Sequence, residues 1–458
     1  MPLLKTILAI ALGVSLAAPW VRAETKPPDS ADPVLQALID EALAHNPELL
    51  AARQLELAAE ARPVQAAARP GPTVGVFYQN DGVGPTLGRE PMTMLGVSGG
   101  QDIPYPGKRG LRRQVAQADA EVARLDVERA RLSLVGSVKR AYYWLWLARG
   151  LATLALEQRN VWQEVQETAQ VRYASAVGSQ QEMLRAQVEA TRVQALHAQH
   201  HAEARARLAQ LNALLGRPPD TPVDATASLP LRPETRSAAE VVAWSEANSP
   251  ELKAAAQAIE RDLRAVELAR LDFKPDFNVQ GGLMYRGSLP PMWQASVSVA
   301  LPSRARVKGG LAEAEAHLEA SKARLEDVRV RLRATVEQRL ALLDAAQQIE
   351  ATYRDGLLPQ GDLAVQSATA TYAAGQGSQL GVLASVAALL DDRTDYLRLI
   401  ATHAAEAARL EEASLEEPMG IDSLLMHGRS SMPAGGPMAA PGPSTPSRTT
   451  SAAQTGMR

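Results

Sequence analysis

The stretch Asn46-Pro47-Glu48-Leu49 returns about 200 residues later as Ser249-Pro250-Glu251-Leu252. A second pair repeats with the same spacing, because Tyr173-Ala174 with Gly178-Ser179-Gln180 returns as Tyr372-Ala373 with Gly377-Ser378-Gln379. This period is far longer than the roughly 20–50 residues of a solenoid unit. Each copy is therefore a whole structural half, with the order helix, two strands, very long helix and return helix.

The composition indicates long helices packed through small side chains. The 458 residues include only three phenylalanines, and aromatic residues make up 4%. The net charge of −3 offers no basic field to nucleic acid, and the absence of cysteine excludes disulfides, thiolate chemistry and cysteine-bound zinc. No Ser/His/Asp set, phosphate-binding loop or carboxylate pair stands in a recognisable context. We therefore expect no enzyme and no cofactor.

The N-terminus predicts an export signal. Lys5 supplies a positive charge, and the apolar segment from Ile7 to Ala18 is too short for a stable membrane anchor. Val21-Arg22-Ala23 fits a small-x-small cleavage pattern, and the missing cysteine excludes lipidation there. A plain N-terminal anchor is the alternative. No later apolar run has the length of a transmembrane helix, so membrane insertion requires β-strands.

Two hairpins are indicated where the hydrophobic period changes from 3.6 to 2. In the second half, apolar side chains alternate with small or polar ones over residues 277–286 and 293–301. The first half repeats this pattern more weakly, at Val74, Val76, Tyr78, Leu95, Val97 and Ile103. A strand of about 10 residues matches a tilted transmembrane β-strand. A soluble hairpin packed on a helix is the alternative.

A very long helix follows each hairpin. The first extends from Lys108 to Arg172, about 65 residues or roughly 95 Å at 1.5 Å per residue. Apolar residues recur in both long helices with the alternating 4/3 spacing of a coiled-coil seam. Pro359 is expected to kink or break the second long helix, whereas the first has no equivalent proline.

Shorter helices are predicted over 33–69 and 236–272, with Pro47 and Pro250 near helix N-termini. Together these patterns predict nine segments. They are a signal peptide (1–23), a helical region (24–71), a β-hairpin (72–105), a long helical hairpin (106–215), a linker (216–235), a second helical region (236–274), a second β-hairpin (275–303), a second long helical hairpin (304–414) and a disordered tail (415–458).

Four membrane strands per chain are too few for a closed barrel. An open sheet edge in lipid leaves unpaired N–H and C=O groups at a cost of several kcal/mol each, and membrane barrels begin at about eight strands. Several chains must therefore share one barrel. Helices that continue from such a barrel form a conduit.

The sequence resembles the outer membrane efflux protein (TolC-like) family over about residues 34–413. The resemblance rests on the Pro-Glu-Leu openings, the hairpin-to-helix joins and the segment Arg172-Tyr173…Ser179-Gln180-Gln181-Glu182-Met183-Leu184-Arg185-Ala186-Gln187. It implies a mainly α fold with membrane β. The expected assembly is a homotrimer whose twelve-stranded transmembrane β-barrel, four strands per chain, continues into a long periplasmic α-helical barrel.

The same resemblance implies a passive exit duct in the outer membrane of a Gram-negative bacterium, in contact with outer-membrane lipid. The implied partners are a periplasmic adaptor and an inner-membrane transporter, expected to be of the resistance-nodulation-division type. The sequence resembles the heavy-metal efflux branch more than the others, which suggests copper and silver, or zinc, cobalt and cadmium. A duct for drugs or for type I protein secretion is one alternative, and an exported coiled-coil scaffold without transport is another.

In this family the helix reversals form the periplasmic tip, which meets the adaptor and closes the entrance. The resemblance assigns this role to seven residues. They are Ala176, Val177, Gly178, Ser179, Gly375, Gly377 and Ser378. Glycine permits a tight reversal and the close approach of another chain. The alternative is that these glycines only end helices.

Family members often carry acidic residues one and two turns after this glycine, which charge and narrow the entrance. Glu182 matches in the first half, whereas Gly381 and Ala384 stand at the corresponding places in the second. We therefore expect at most one acidic ring, at Glu182. A solvated glutamate on a helix face is the alternative.

Candidate metal ligands are His197 and His201, whose i, i+4 spacing can chelate a divalent ion, and the pair Met426 and His427. Further methionines lie in the tail and beside the hairpins. They are Met419, Met432, Met438 and Met457, and Met92, Met94, Met284 and Met292. Thioether and imidazole groups suit Cu(I) and similarly soft ions. Ordinary surface histidines and a tail that tolerates methionine are the alternatives.

Overall fold

The computed structural model of the protein describes residues 32–176, 178–224, 229, 234, 236–374, 376–413 and 415–416. The predicted signal peptide and nearly all of the predicted tail lie outside these residues. The helices are α1 (Pro33–His45), α2 (Pro47–Ala67), α3 (Lys108–Ala174), α4 (Gln180–Leu215), α5 (Ala238–Asn248), α6 (Pro250–Leu271), α7 (Arg304–Thr352), α8 (Leu358–Ala373) and α9 (Gln379–Glu411). The strands are β1 (Thr73–Gln79), β2 (Met94–Ile103), β3 (Asp276–Arg286) and β4 (Leu289–Ala300).

The regions predicted as single helices over 33–69 and 236–272 are each two helices, so that prediction was wrong. Asn46 and Ser249 divide them and cap the second helix of each pair. Asn46 Oδ1 accepts from the Leu49 N–H at 3.0 Å, and Ser249 Oγ accepts from the Leu252 N–H at 3.4 Å. Pro47 and Pro250 begin the second helices, as expected, because proline lacks the N–H that continuation of the first helix would use.

The four strands form one antiparallel sheet in the order β1-β2-β3-β4. The predicted alternation is confirmed, since the register aligns apolar residues into rows on one face. One row is Val76, Val97, Leu283 and Trp293, and all four of these side chains are exposed. The opposite face carries mostly glycine, serine, glutamine and asparagine. The sheet joins the two halves, because β2 of the first pairs with β3 of the second.

A buried lysine fixes the start of α3 against the strand that opens the second hairpin. Lys108 Nζ lies 3.0 Å from Asp276 Oδ1 and donates to the Lys274 carbonyl at 3.0 Å. The Tyr105 N–H donates to the same Asp276 oxygen at 2.8 Å. These contacts link the first half to the second at the point where strand becomes helix.

The described residues fall into two compact units. The first is bounded by Met1–Ala148, Ala202–Leu229 and Ser249–Arg329, and the second by Arg149–His201, Pro230–Asn248 and Val330–Arg458. In the first unit α1 packs on α3 and α4 through Leu38, Tyr142 and Leu211. In the second unit one core joins both helical hairpins. Its buried members are Leu154, Trp162, Val193, Tyr372, Val382, Val386 and Leu390.

The second long helix is interrupted ahead of Pro359, as expected. α7 ends at Thr352, a π turn covers Tyr353–Leu357, and α8 begins at Leu358. The Leu358 N–H donates to the Tyr353 carbonyl, five residues back. Pro359 has no N–H, and in a regular α-helix its ring clashes with the carbonyl four residues earlier; here the backbone widens into a π turn just before it. In α2, by contrast, the helix continues through Pro63. The first long helix, α3, is continuous over 67 residues.

Among the described helices, none combines the length and the apolar side chains that would let it span a bilayer.

Candidate functional site: the two helix reversals

The two helix reversals have the same backbone pattern, 199 residues apart. In the first, between α3 and α4, the Gly178 N–H donates to the Arg172 carbonyl at 2.8 Å. In the second, between α8 and α9, the Gly377 N–H donates to the Thr371 carbonyl at 3.1 Å. Both bonds span six residues and satisfy a carbonyl at the end of the helix. The repeated sequence therefore encodes a repeated turn.

A side chain at either glycine would crowd the end of the preceding helix. A Cβ added at Gly178 would lie 3.0 Å from Arg172 Cβ and 3.2 Å from the Tyr173 nitrogen. A Cβ added at Gly377 would lie 3.0 Å from the Tyr372 nitrogen. In the first turn the left-handed backbone conformation falls on Ala176, with φ of 59°. The predicted tip residues Val177 and Gly375 lie outside the described residues.

A serine starts the return helix in both turns. Ser179 Oγ accepts from the Glu182 N–H at 3.2 Å, and Ser378 Oγ accepts from the Gly381 N–H at 3.2 Å. Each serine satisfies one of the free N–H groups in the first turn of α4 or α9. The predicted tip residues Ser179 and Ser378 thus have a local role as N-caps.

The two turns differ in burial. Tyr173 is 45% exposed, whereas its counterpart Tyr372 is 6% exposed and belongs to the core of the second unit. Gln180 is exposed, whereas its counterpart Gln379 is 2% exposed. The guanidinium carbon of Arg172 lies 4.7 Å from the centre of the Tyr372 ring, which is within the range of a cation–π contact. Arg172 therefore ties the first hairpin to the second.

Glu182 belongs to the same environment. Burial raises the pKa of Tyr372, the negative charge of Glu182 raises it further, and the positive charge of Arg172 opposes both. We call Arg172, Glu182, Tyr372 and Gln379 the tip cluster. The sequence singled out Glu182 alone, and the signal that could have identified Tyr372 is its repetition in both halves.

Each member of the tip cluster has a buried polar atom without a hydrogen-bond partner among the described residues. These atoms are Arg172 Nε, Glu182 Oε2, Tyr372 Oη and Gln379 Nε2. A buried donor or acceptor left unpaired costs about 1–3 kcal/mol. Water or another chain would have to satisfy these groups.

An open groove of about 460 Å³ lies on α4 directly after the first reversal. It is lined by Gln180, Gln181, Leu184, Arg185, Val188 and Glu189. Leu184 and Val188 are both exposed. The groove combines apolar and charged side chains on a single helix face.

The candidate metal ligands are only partly brought together. The ring centres of His197 and His201 are 6.3 Å apart, so the predicted i, i+4 neighbours do face each other. In the part of the chain that the structure describes, no three His, Cys, Asp or Glu side chains are placed to hold a metal ion. Met426 and His427 lie outside the described residues.

A comparison with protein families now bears on this geometry. The model of the outer membrane efflux protein family matches residues 38–217 and 243–414, more than half of the chain. The chain belongs to this family. A search of curated proteins gave no match.

Several solved structures have the same fold. The outer membrane protein VceC of Vibrio cholerae is 21% identical, with a TM-score of 0.71 over 83% of this chain and 95% of that chain. The open-state MtrE outer membrane channel of Neisseria gonorrhoeae is 19% identical, with a TM-score of 0.66 over 83% and 88%. CusC, whose structures concern transmembrane channel formation, is 18% identical, with a TM-score of 0.66 over 84% and 91%.

Family and fold together establish that this is an outer-membrane efflux channel with a periplasmic helical part. Such channels are ducts without enzymatic activity, as the sequence predicted. They are trimers that work with a periplasmic adaptor and an inner-membrane pump. The alternative of an exported coiled-coil scaffold without transport is thereby set aside.

Proposed function

We propose that the two reversals form the periplasmic entrance of this channel, in a homotrimer, and that the same surface binds the adaptor. The unpartnered polar atoms of the tip cluster carry this proposal. They lie at the helix ends, where three copies would converge around an axis, and a neighbouring chain can supply the missing partners. The cluster would thus hold the entrance together until it opens.

Glu182 would provide a single ring of three carboxylates at this entrance. No second ring would form, because Gly381 stands at the matching position of the other half. Like charges that converge repel one another and attract cations. One ring therefore favours cations over anions more weakly than two rings would.

The groove on α4 suits the adaptor. Leu184 and Val188 offer an exposed apolar strip, and Arg185 and Glu189 flank it with both signs of charge. An amphipathic helix of the adaptor would bury its apolar face on this strip. The neighbouring turn residues, from Ala176 to Ser179 and from Gly377 to Ser378, would set the position of that helix.

At the other end, the apolar face of the sheet would contact outer-membrane lipid. β1 and β4 are the edges of the four-stranded sheet. Pairing each edge with that of the next chain leaves no open edge in lipid and yields a twelve-stranded barrel. The export signal over residues 1–23 would bring the chain across the inner membrane without lipidation.

For substrates we propose heavy-metal cations, either copper and silver or zinc, cobalt and cadmium, delivered by a pump of the resistance-nodulation-division type. Support comes from the methionines beside the hairpins, from the facing His197 and His201, and from Met426 with His427 in the tail. A duct for drugs or for type I secretion remains the competing proposal. A deletion strain tested with Cu, Ag, Zn, Co, Cd and a drug panel decides between them: sensitivity to metals supports the first, and sensitivity to drugs alone contradicts it.

The chain contains no cysteine, so single cysteines can test the tip without background. We expect Ser179→Cys and Ser378→Cys to cross-link to the adaptor in whole cells. Glu319→Cys, at an exposed position on α7, should not. Equal cross-linking at all three positions, or none at the two serines, would contradict docking at the reversals.

A further inference from the structure

Three methionines interrupt the polar face of the sheet. This face carries Gly75, Gly96, Ser98, Gln280 and Ser296, among other small or polar residues. Met94, Met284 and Met292 lie on the same face, on three successive strands. They are grouped at the end of the sheet where the connecting turns lie.

The strand register places the three side chains next to one another. Met284 and Met292 are direct cross-strand partners, which puts their Cβ atoms about 4.5–5.5 Å apart. Met284 also pairs with Gly96, so Met94 is its diagonal neighbour, at about 7–8 Å. Methionine has three rotatable side-chain bonds. The three thioethers can therefore approach one another on this face, beside the Phe77 ring that covers Gly96.

The surroundings of this cluster are enclosed on one side and open on the other. Met94 and Met284 are 4% and 5% exposed, whereas Met292 is 41% exposed. The ring of Phe77 covers Gly96 and leaves no room for a Cβ there. Two sulfur atoms are thus held in an apolar setting, and the third is accessible to an ion.

The connections beside the cluster are fixed by hydrogen bonds. Arg286 donates from Nε and Nη2 to the Pro91 carbonyl, at 3.0 Å and 2.7 Å. Ser288 Oγ donates to the Gly88 carbonyl at 2.9 Å. Asn80 Nδ2 donates to the carbonyls of Gly82 and Gly84, both at 2.8 Å. The β1–β2 connection is therefore tied to the β3–β4 turn, and the methionines between them are held in place.

We propose that Met94, Met284 and Met292 form a thioether site for Cu(I) or Ag(I) on the polar face of the sheet. Neutral sulfur ligands bind these soft ions and bind Zn²⁺ or Mg²⁺ poorly. The neighbouring Arg286 charge repels any cation, and a divalent ion about twice as strongly as a monovalent one. Since thioethers carry no proton to lose, binding should not change between pH 5 and pH 8. The site rests on the proposed metal efflux and narrows its substrate to the monovalent soft ions.

Titration of the full trimer in nanodiscs with Ag(I) tests the site. We expect the combined variant Met94→Leu, Met284→Leu and Met292→Leu to bind one Ag(I) ion fewer per chain than the wild type, or to bind it at least about tenfold more weakly, whatever the histidines and tail methionines bind in both proteins. Leucine conserves volume, so the sheet should keep its fold. Met183→Leu, on α4, is the matched control and should bind Ag(I) as the wild type does.

If the combined variant does not assemble, the accessible Met292→Leu alone gives the same comparison. X-ray absorption of the Ag(I) complex should show sulfur in the first coordination shell, which Met292→Leu reduces. Wild-type protein that binds no Ag(I), or variants that bind it unchanged, would overturn the site. Full Cu and Ag tolerance in the deletion strain would instead overturn the proposed substrate, and it would leave the binding result to stand by itself.

Discussion

The two helix reversals have the same backbone hydrogen bonds but differ in how deeply their side chains are buried. Gly178 and Gly377 make the same six-residue hydrogen bond, and Ser179 and Ser378 make the same cap. Yet Tyr173 is exposed and Tyr372 is buried. The turn is thus specified locally, whereas the burial of its side chains depends on what packs beside it. One reversal is largely enclosed within its own chain, and the other is exposed.

The long helices that lead to the two reversals also differ. α3 runs uninterrupted to the first reversal, while a π turn separates α7 from α8 before the second. Around this interruption polar contacts join α7 and α8 to α9: Arg393 lies 2.8 Å from Asp362, and the Tyr396 hydroxyl donates to Glu350 at 3.2 Å. The second hairpin is therefore irregular in backbone, whereas the first is regular.

The largest expected effect is the difference in stability between variants of the two repeated tyrosines. Tyr372→Ala should lower the stability of the trimer by about 3 kcal/mol, because it empties a buried site and removes the ring beneath Arg172. Tyr173→Ala should change it by less than about 0.5 kcal/mol. Thermal unfolding of the detergent-solubilised variants measures both. Equal losses would show that the two reversals are equivalent after all.

The second effect is a pH dependence specific to the second hairpin. His403 on α9 is buried, and burial lowers its pKa from 6.5 to about 4. The 199-residue offset leads back to Ala204, which cannot titrate. Between pH 6.5 and pH 4 the unfolded chain binds a proton at His403 and the folded chain does not. The stability that neutral, buried His403 contributes is therefore fully present above pH 6.5, and it is lost as the pH falls through this window.

Because of His403, we expect the free energy of unfolding to fall by about 2 kcal/mol when the pH is lowered from 7 to 5. His403→Leu should reduce the pH slope of the melting temperature over that range. His45→Gln, at an exposed histidine of α1, serves as the control and should leave the slope unchanged. A wild-type slope in the His403→Leu protein would contradict the assignment to this residue.

A smaller effect concerns the glycines that the two turns share. Gly178→Ala and Gly377→Ala should each cost about 1 kcal/mol, since the new Cβ meets the preceding helix end at 3.0 Å in both. Gly110→Ala and Gly309→Ala, on helix faces with nothing within 4 Å, should be neutral or stabilising. Adaptor cross-linking in the four variants provides the functional measurement. A loss of stability in only one of the two glycine variants would show that the two turns are not equivalent in backbone.

The smallest effect on stability belongs to Glu182. Glu182→Gln should change the free energy of unfolding by less than about 0.5 kcal/mol. It should also lower the cation preference of the channel in a planar bilayer. Gly381→Glu adds the carboxylate that the second half lacks and should raise that preference. Conductance selectivity unchanged in both variants would mean that Glu182 does not line the entrance.

Much of the fold follows from local patterns in the sequence. The change from a 3.6-residue to a 2-residue period located all four strands, since a strand must present alternate side chains to its two faces. Pro359 predicted the interruption of the second long helix, because proline lacks a helix N–H and its ring crowds the preceding turn. The same reasoning did not go far enough at Asn46 and Ser249, whose capping bonds end one helix and start another.

The site was only partly predictable. The repeated glycines and serines located both reversals. Tyr372 and Gln379 stand in the same repeat, but no sequence signal showed that they are buried or that Arg172 packs on the Tyr372 ring. They become neighbours because α3 and α4 pack against α8 and α9, which lie about 200 positions further along the chain. The methionine cluster is a similar case, since Met94 and Met284 become neighbours only through the β2–β3 register.

The sequence by itself determined the duplication, the order of helices and strands, the two turns and the family, because each depends on short stretches that act locally. Tertiary structure alone decided which copy of the repeated tyrosine is buried, which strands of the two halves pair, and which side chains meet at the tip and on the sheet. These features depend on long-range packing, in which two equivalent stretches are no longer equivalent once each has different neighbours.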